Sequence, residues 1–502
     1  MKNKFELFDS ILIDKTGKTP LYLQLYEKLK GIIVDGILCP DFRLPSIRQL
    51  SDIMGINKVT VVSAFKELEN EGYVYSKPGS GTYVSEVLPL CKNKVLLDSF
   101  PVLDELYQQD DIFLINNGRI KITESMVNFA SATPTPDLFP VEDFKCALNE
   151  VLERDRGNAF GYQDSQGFYP IRESILNILK KYKINSCPDN IQIISGAQQG
   201  IDIISKAFLK QGDYVITESP TYTGAIAVFK SRGAQIADVE MRAEGPDLNL
   251  LEYNIKKFKP KFVYTIPSFQ NPTGYSYPDW KRIELLKLSE KYGFLIVEDD
   301  YVSDLDFDER NHLSLKALDK HNRVIFIKSF SKIFMPGLRL GFMIVPTELS
   351  GNILEAKHTT DISTSGLIQR AFDLYIRKGY WDRHYKFMYE IYRERYEKMI
   401  ASLDKYLPHT LHYTKPGGGL NIWLNLPYGF PVNSLTKQAA SSDIVFAPGR
   451  IFYSSGSVQK LSSIRLSFAS VCVGQIERGV QTLCSLIPLL EQNQVQRDLP
   501  VL

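Results

Sequence analysis

The chain has 502 residues, 44% of them hydrophobic and 23% charged, which excludes a single small module and a wholly disordered chain and predicts several folding units. Lysine and arginine number 59 against 58 aspartate and glutamate, so no global field draws the chain to polyanions or membranes, and any nucleic-acid contact must come from local placement. The six cysteines, Cys39, Cys91, Cys146, Cys187, Cys472 and Cys484, have no CxxC pair or zinc spacing; they read as free thiols of a reducing cytosol, with no metal site.

The amino terminus, MKNKFELFDSILIDK, mixes acids with short apolar runs and lacks the apolar core of a signal peptide. No stretch reaches the ~20 apolar residues of a membrane span, so a cytoplasmic protein is expected. Residues 19–85 then have a rhythm of their own. Tyr22, Leu25, Leu29, Ile32 and Ile33 recur at helical spacing up to Gly36. Ser46 can cap a second helix, about three turns long by its pattern, marked by Leu50, Ile53 and Met54 and closed by Gly55. Asn57 can cap a third, in which Val61, Phe65 and Leu68 face a core until Gly72.

Two helices joined by a short glycine-containing turn make the geometry of a helix-turn-helix, whose second helix enters the DNA major groove N-terminus first. Its leading residues here are Asn57, Lys58, Thr60 and Ser63. Tyr73–Tyr75 and Thr82–Val84 alternate like strands around Lys77-Pro78-Gly79-Ser80-Gly81, a hairpin whose bare amides and lysine suit phosphate. With eleven basic and ten acidic side chains in residues 1–85, a small helical domain for protein contact is the competing reading.

Residues 20–84, from PLYLQLYEKLKGIIVDGIL through DFRLPSIRQLSDIMGINKVTVVSAFKELENEGYVYSKPGSGTYV, closely resemble the winged helix-turn-helix of GntR-type bacterial transcription regulators. The resemblance implies that Arg43, Ser46 and Arg48 meet phosphates and groove edges. It also implies that Asn57, Lys58 and Thr60 start the recognition helix and that Gly79 to Gly81 form the wing tip. Where the family most often has Ser-Arg, this chain has Asn57-Lys58, and lysine lacks the planar fork that reads guanine. Residues 86–126 show no sustained period and read as a linker with one short helix, whose apolar residues favour packing over free motion.

From residue 127, apolar β-rich runs at 192–196, 214–219, 262–267, 294–300 and 324–332 alternate with helical patterns, which predicts an α/β domain with a mostly parallel sheet. Ligands of such sheets bind at the carboxyl ends of the strands, and each run ends in polar residues. Ser195-Gly196-Ala197-Gln198 opens a helix whose amides can hold a phosphate, although a plain strand-to-helix turn has the same sequence signature. Asn271-Pro272-Thr273-Gly274 by itself is a turn, and the acids of Glu298-Asp299-Asp300-Tyr301 by themselves are solvated or capping. The sharpest set is Ser329-Phe330-Ser331-Lys332 followed by Met335-Pro336-Gly337-Leu338-Arg339. A lysine among apolar residues is usually a snorkelling surface group. A lysine, a carboxylate, polar groups for a ring oxygen, an aromatic plate and a serine and arginine cradle together are what pyridoxal phosphate requires.

That set resembles the fold-type I aminotransferases over about residues 127–490, with a large part near 150–385 and a smaller C-terminal α+β subdomain near 386–490. The resemblance implies that Lys332 is the Schiff-base lysine, that Asp299 pairs with the pyridine nitrogen, and that Asn271 and Tyr301 hold the phenolate oxygen. Tyr222 would stack on the ring; Ala197, Gln198, Ser329, Ser331 and Arg339 would grip the phosphate, joined by Tyr162 from a partner subunit. Arg465 would clamp the α-carboxylate of an amino acid, and Lys328 has no counterpart and reads as structural.

A winged helix ahead of such a domain is the architecture of the MocR/GabR-type regulators, which nearly the whole chain resembles. This implies a homodimer with exchanged domains, operator DNA as partner and an amino acid or amine as effector. Three functions stay open: a sensor whose cofactor site changes DNA affinity, a working aminotransferase that carries a DNA module, and a regulator whose effector is pyridoxal phosphate itself.

Overall fold

The computed structural model describes residues 8, 13–14, 19–34, 37–77, 80–85, 123, 125–454 and 462–498, with side chains in the last helix to residue 490. The expected linker falls almost wholly outside the described residues, as do Cys91 and the wing residues Pro78 and Gly79. The chain divides into two compact units, residues 1–109 and 110–502.

In the first unit, α1 (Leu21–Val34), α2 (Ile47–Met54) and α3 (Lys58–Asn70) precede a hairpin of β1 (Val74–Lys77) and β2 (Gly81–Val84). Each expected cap forms. Ser46 Oγ accepts from Gln49 N while Gln49 Oε1 accepts from Ser46 N, a reciprocal capping box. Gly55, with φ 59°, adopts the left-handed conformation that ends α2. Between those two fixed ends α2 has eight residues, little more than two turns where about three were expected. Asn57 Oδ1 accepts from Val59 N at 3.0 Å and starts α3. Leu25, Leu29, Leu50, Val61, Phe65 and Leu68 close one apolar core. The hairpin pairs Val74 with Val84 through Lys77 with Gly81, so its first strand begins one residue later than the pattern predicted, Tyr73 being drawn into the core.

The second unit is built on an eight-stranded sheet. Its strands are β4 (Ile191–Ile194), β5 (Tyr214–Ser219), β6 (Gln235–Arg242), β7 (Gly245–Pro246), β8 (Phe262–Thr265), β9 (Leu295–Asp300), β10 (Val324–Ser329) and β11 (Gly341–Ile344), with β3 (Val127–Asn128) outside it. The spatial order is β4-β11-β10-β9-β8-β5-β6-β7. Strands β10, β9, β8, β5 and β6 run parallel; β11 is antiparallel to both its neighbours, and so is β7 to β6. β4, β8 and β11 are buried along their whole length, Gln192 of β4 included, as strands covered on both faces are. The sheet is thus the mostly parallel α/β sheet expected, with the antiparallel β11 added. Helices Ala197–Phe208, Thr223–Ser231 and Asp279–Tyr292 connect the strands.

After the long helix Tyr380–Tyr406 the chain forms a smaller sheet of β12 (Asn421–Asn425), β14 (Ala447–Pro448) and β15 (Ser463–Ser467), ordered β12-β15-β14, while β13 (Ile444–Val445) pairs in parallel with β3. β15 carries Arg465 opposite Trp423 and Ala447. Among the described residues no helix is long and apolar enough to cross a membrane.

Candidate functional site

The carboxyl ends of β4, β5, β8, β9 and β10 converge on a cavity of about 120 Å³. Its lining is Ala197, Gln198, Tyr222, Asn271, Asp299, Tyr301, Ser329, Ser331, Lys332 and Arg339, together with Ile266. Residues spread over 143 positions of chain meet there because parallel strands direct every carboxyl end to one edge of the sheet. The register of β9 with β10 pairs Asp299 with Ile327 and Asp300 with Lys328, so Ser329 and Lys332 follow just beyond Asp299.

Asp299 is buried, and Tyr264 Oη donates to its Oδ2 at 2.6 Å. Its Oδ1 is buried with no hydrogen-bond partner. Burial pushes the carboxyl up to about 6; the Tyr264 bond opposes the shift and the Asp300 charge adds to it. Lys332 is driven the other way, down to about 8, by desolvation first and then by the Arg465 charge, with Asp299 opposing. Arg465 is also buried: Nη1 donates to Asn271 Oδ1 at 3.0 Å, Nη2 donates to the Ala130 carbonyl, and Nε has no partner. Desolvation lowers even this guanidinium, to about 10.

Some side chains spend their groups on each other. Tyr222 Oη donates to Gln198 Oε1 at 2.9 Å, and Gln198 Nε2 donates to the Gly224 carbonyl, so Gln198 braces the aromatic plate. Tyr301 Oη donates to the Phe269 carbonyl at 2.7 Å and accepts from Asn421 Nδ2. Arg339 Nη2 donates to the Ser195 carbonyl at 2.9 Å, across Gly196. Gly196 has φ +87°, and a Cβ there would lie 2.7 Å from Arg339 Nη2, so only glycine allows this approach. No side chain caps the helix Ala197–Phe208, which leaves its first amides for a ligand.

Several residues that shape the site escaped sequence reasoning. Tyr264 reads as a core aromatic in an apolar run, and nothing local announces its bond to Asp299. Glu218 is buried and accepts from Thr265 Oγ1 (2.6 Å), Ile266 N (3.0 Å), Gln270 Nε2 (2.8 Å) and Tyr277 Oη. It ties the end of β5, which leads to Tyr222, to the loop that carries Asn271. Lys328, read as structural, donates to Asp300 Oδ2 (3.0 Å) and pairs with Asp304 Oδ2 (2.8 Å). Tyr162 is 87% exposed on this chain and does not line the cavity.

The residues present fit pyridoxal phosphate. The buried unpaired Asp299 Oδ1 matches a protonated ring nitrogen, the uncapped helix start and Arg339 match a phosphate, and Lys332 is an amine of lowered basicity. In the first unit, Arg43, Ser46, Arg48, Asn57, Lys58, Lys77 and Gly81 are exposed, and Thr60 and Ser63 are half-buried on α3. Ser46 and Asn57 also serve as caps. Lys77 Nζ lies over the Tyr75 and Tyr83 rings, at 5.3 and 5.1 Å from their centroids.

Fold and site together define a transcription regulator with an aminotransferase-like domain behind a winged helix. The aminotransferase class I and II family matches residues 124–483, and the gntR family of bacterial regulatory proteins matches residues 21–84. The chain belongs to the aminotransferase class I and II family, joined to a GntR domain in the MocR/GabR-type arrangement. It is 29% identical over 474 residues to the uncharacterized HTH-type transcriptional regulator YisV of Bacillus subtilis, covering 93% of this chain and 96% of that protein. It is 27% identical over 488 residues to the probable rhizopine catabolism regulatory protein MocR of Rhizobium meliloti, covering 96% and 97%. The crystal structure of a multiple substrate aminotransferase from Thermococcus profundus superposes with a TM-score of 0.73 at 30% identity, over 79% of this chain and 99% of that one. Members of this aminotransferase family depend on pyridoxal phosphate.

Proposed function

We propose that the chain is a homodimeric regulator acting in the cytoplasm, with pyridoxal phosphate held at Lys332, and that an amino acid or amine arriving at that site changes its affinity for operator DNA. Residues 1–85 would read DNA, 86–126 would join the modules, and 127–490 would hold the cofactor. The observation that carries the reading is the orphaned Asp299 Oδ1 in a cavity that also contains Lys332 and Arg339, within a chain that has a winged helix.

Pyridoxal phosphate supplies an aldehyde that condenses with amines and a ring that withdraws electrons. Asp299 would hold the proton on the ring nitrogen. Asn271, whose Oδ1 is engaged by Arg465, would present its amide nitrogen to the ring oxygen beside Tyr301. Tyr222 would cover one face of the ring. The backbone amides of Ala197 and Gln198, with Ser329, Ser331 and Arg339, would hold the phosphate, completed by Tyr162 of the partner subunit. Lys332, lowered to about 8, has an unprotonated fraction near neutral pH and can bind the aldehyde or carry a proton once displaced. Arg465 Nε is buried without a partner, and a substrate carboxylate would satisfy it. A neutral α-amino acid suits this single cation.

The lowered Lys332 also favours a second reading, a working aminotransferase with a DNA module. A visible spectrum of the purified protein, titrated with amino acids and followed by DNA binding in the same states, separates the two. Sensing gives a spectral change without full conversion to the aminated cofactor and a shift in DNA affinity; turnover gives full conversion, reversed by a keto acid. DNA affinity that follows cofactor concentration alone assigns the cofactor as effector. Lys332→Ala is expected to lose the visible band and the effector response while keeping DNA binding, and Arg48→Ala to weaken DNA binding with the spectrum unchanged. A normal effector response in Lys332→Ala overturns the proposal.

A further inference from the structure

We propose that Val59 and Val62 on α3 read the 5-methyl groups of thymines in the major groove; the inference rests on the DNA-binding reading above and adds the base it selects. α3 turns Val61, Ala64, Phe65 and Leu68 into the core. The opposite face carries Val59, 68% exposed, and Val62, 44% exposed, three residues apart and therefore neighbours on the helix surface. Ser63 and Lys66 share that face by their spacing. A scattered exposed valine needs no explanation. A pair at the leading end of a recognition helix does, because β-branched residues weaken a helix slightly and here receive no burial in return.

The surroundings decide the occupant. Arg43, Arg48, Lys58 and Lys66 are exposed, and among the described residues none of them is held in an ion pair, whereas Lys30 is locked to Glu71 at 2.9 Å. An exposed apolar pair on a helix that also carries the unpaired cations Lys58 and Lys66 suits a polyanion with a local apolar group. In the major groove that group is the thymine methyl, the one apolar feature of the base edges. The polar alternative on the same helix rests on Lys58 and Lys66, which lack the planar fork that reads a base edge, since Asn57 Oδ1 is spent on the cap and Thr60 and Ser63 are half-buried.

The full-length protein with its cofactor would select a tight-binding duplex from a random pool, after which each thymine of that duplex is replaced by deoxyuridine, which removes only the methyl. Replacement at one or more positions should weaken binding about fourfold each, the equivalent of the ~0.8 kcal/mol of one buried methyl-sized group. Val59→Ala and Val62→Ala should each abolish the discrimination at one thymine and leave the others as they were. Both side chains are exposed and alanine is the better helix former, so the variants should unfold at or slightly above the parent temperature. Equal binding of every deoxyuridine duplex, discrimination that survives in both variants, or a selected duplex without an A·T preference overturns the proposal. So does a change in sedimentation of the DNA-free variants without a change in discrimination, which would place a protein on this face. Failure to select any duplex removes the DNA-binding reading itself, a separate outcome.

Discussion

Lys332 and Asp299 are displaced in opposite directions by one cause, the loss of water around a charge that a ligand would later compensate. For Lys332 the sign of the stability effect follows from its ordinary value of 10.5 and its folded value near 8. Between those values the unfolded chain holds the proton and the folded chain does not, so stability rises with pH across that window and the cost is fully present below about 8. The ligand-free Lys332→Met variant should therefore be more stable than the parent at pH 7, with the difference shrinking as the pH approaches 10.5, as measured by thermal unfolding. A difference that grows with pH would contradict this. Most of the lining was legible because each residue lies in a strand-end motif that resembles those of the fold-type I aminotransferases. Tyr264 was not, since its role exists only when β8 and β9 lie side by side.

Elements fix what residues can do. β10 places Lys328 against Asp300 of β9, and the following loop brings Asp304 to the same ammonium. The charges hold Lys328 well above the usual range against a strong desolvation penalty. Lys328→Met would leave two carboxylates without their cation, and should cost about 3–5 kcal/mol in chemical denaturation. In α3, Asn57→Ala should destabilise the first unit by about 1 kcal/mol while Asn57→Ser retains the cap. A DNA-affinity loss in Asn57→Ser without loss of stability would show that the side chain also touches DNA. The caps of α2 and α3 could be read from Ser46, Gly55 and Asn57 because capping is local chemistry. β11 could not: Gly341–Ile344 is a four-residue apolar run, too short for periodicity to tell a strand from a buried turn of helix.

At the scale of the molecule, the proposed partner contact of Tyr162 can be tested without a structure of the dimer. Tyr162→Ala should weaken cofactor binding about tenfold, as for one lost charge-assisted hydrogen bond, and Lys332→Ala should abolish the visible band. Mixed dimers of the two variants pair an intact Lys332 with an intact Tyr162 in one of their two sites. Mixing should then restore parental affinity in about half the sites of mixed dimers, if the partner supplies the tyrosine. No recovery after subunit exchange would place Tyr162 outside the partner's site.

The order of alternating strands and helices, the caps and the winged-helix spacing were properties of the sequence alone, because they depend on periodicity and on neighbours a few residues away, while the chemistry at the strand ends was legible only through motifs that resemble a known family. The tertiary structure decided which groups end unpaired: Asp299 Oδ1, Arg465 Nε and the exposed valines of α3. Whether a polar atom finds a partner, or an apolar one finds a core, depends on residues tens to hundreds of positions distant, and that is settled only when the sheet and the helices pack.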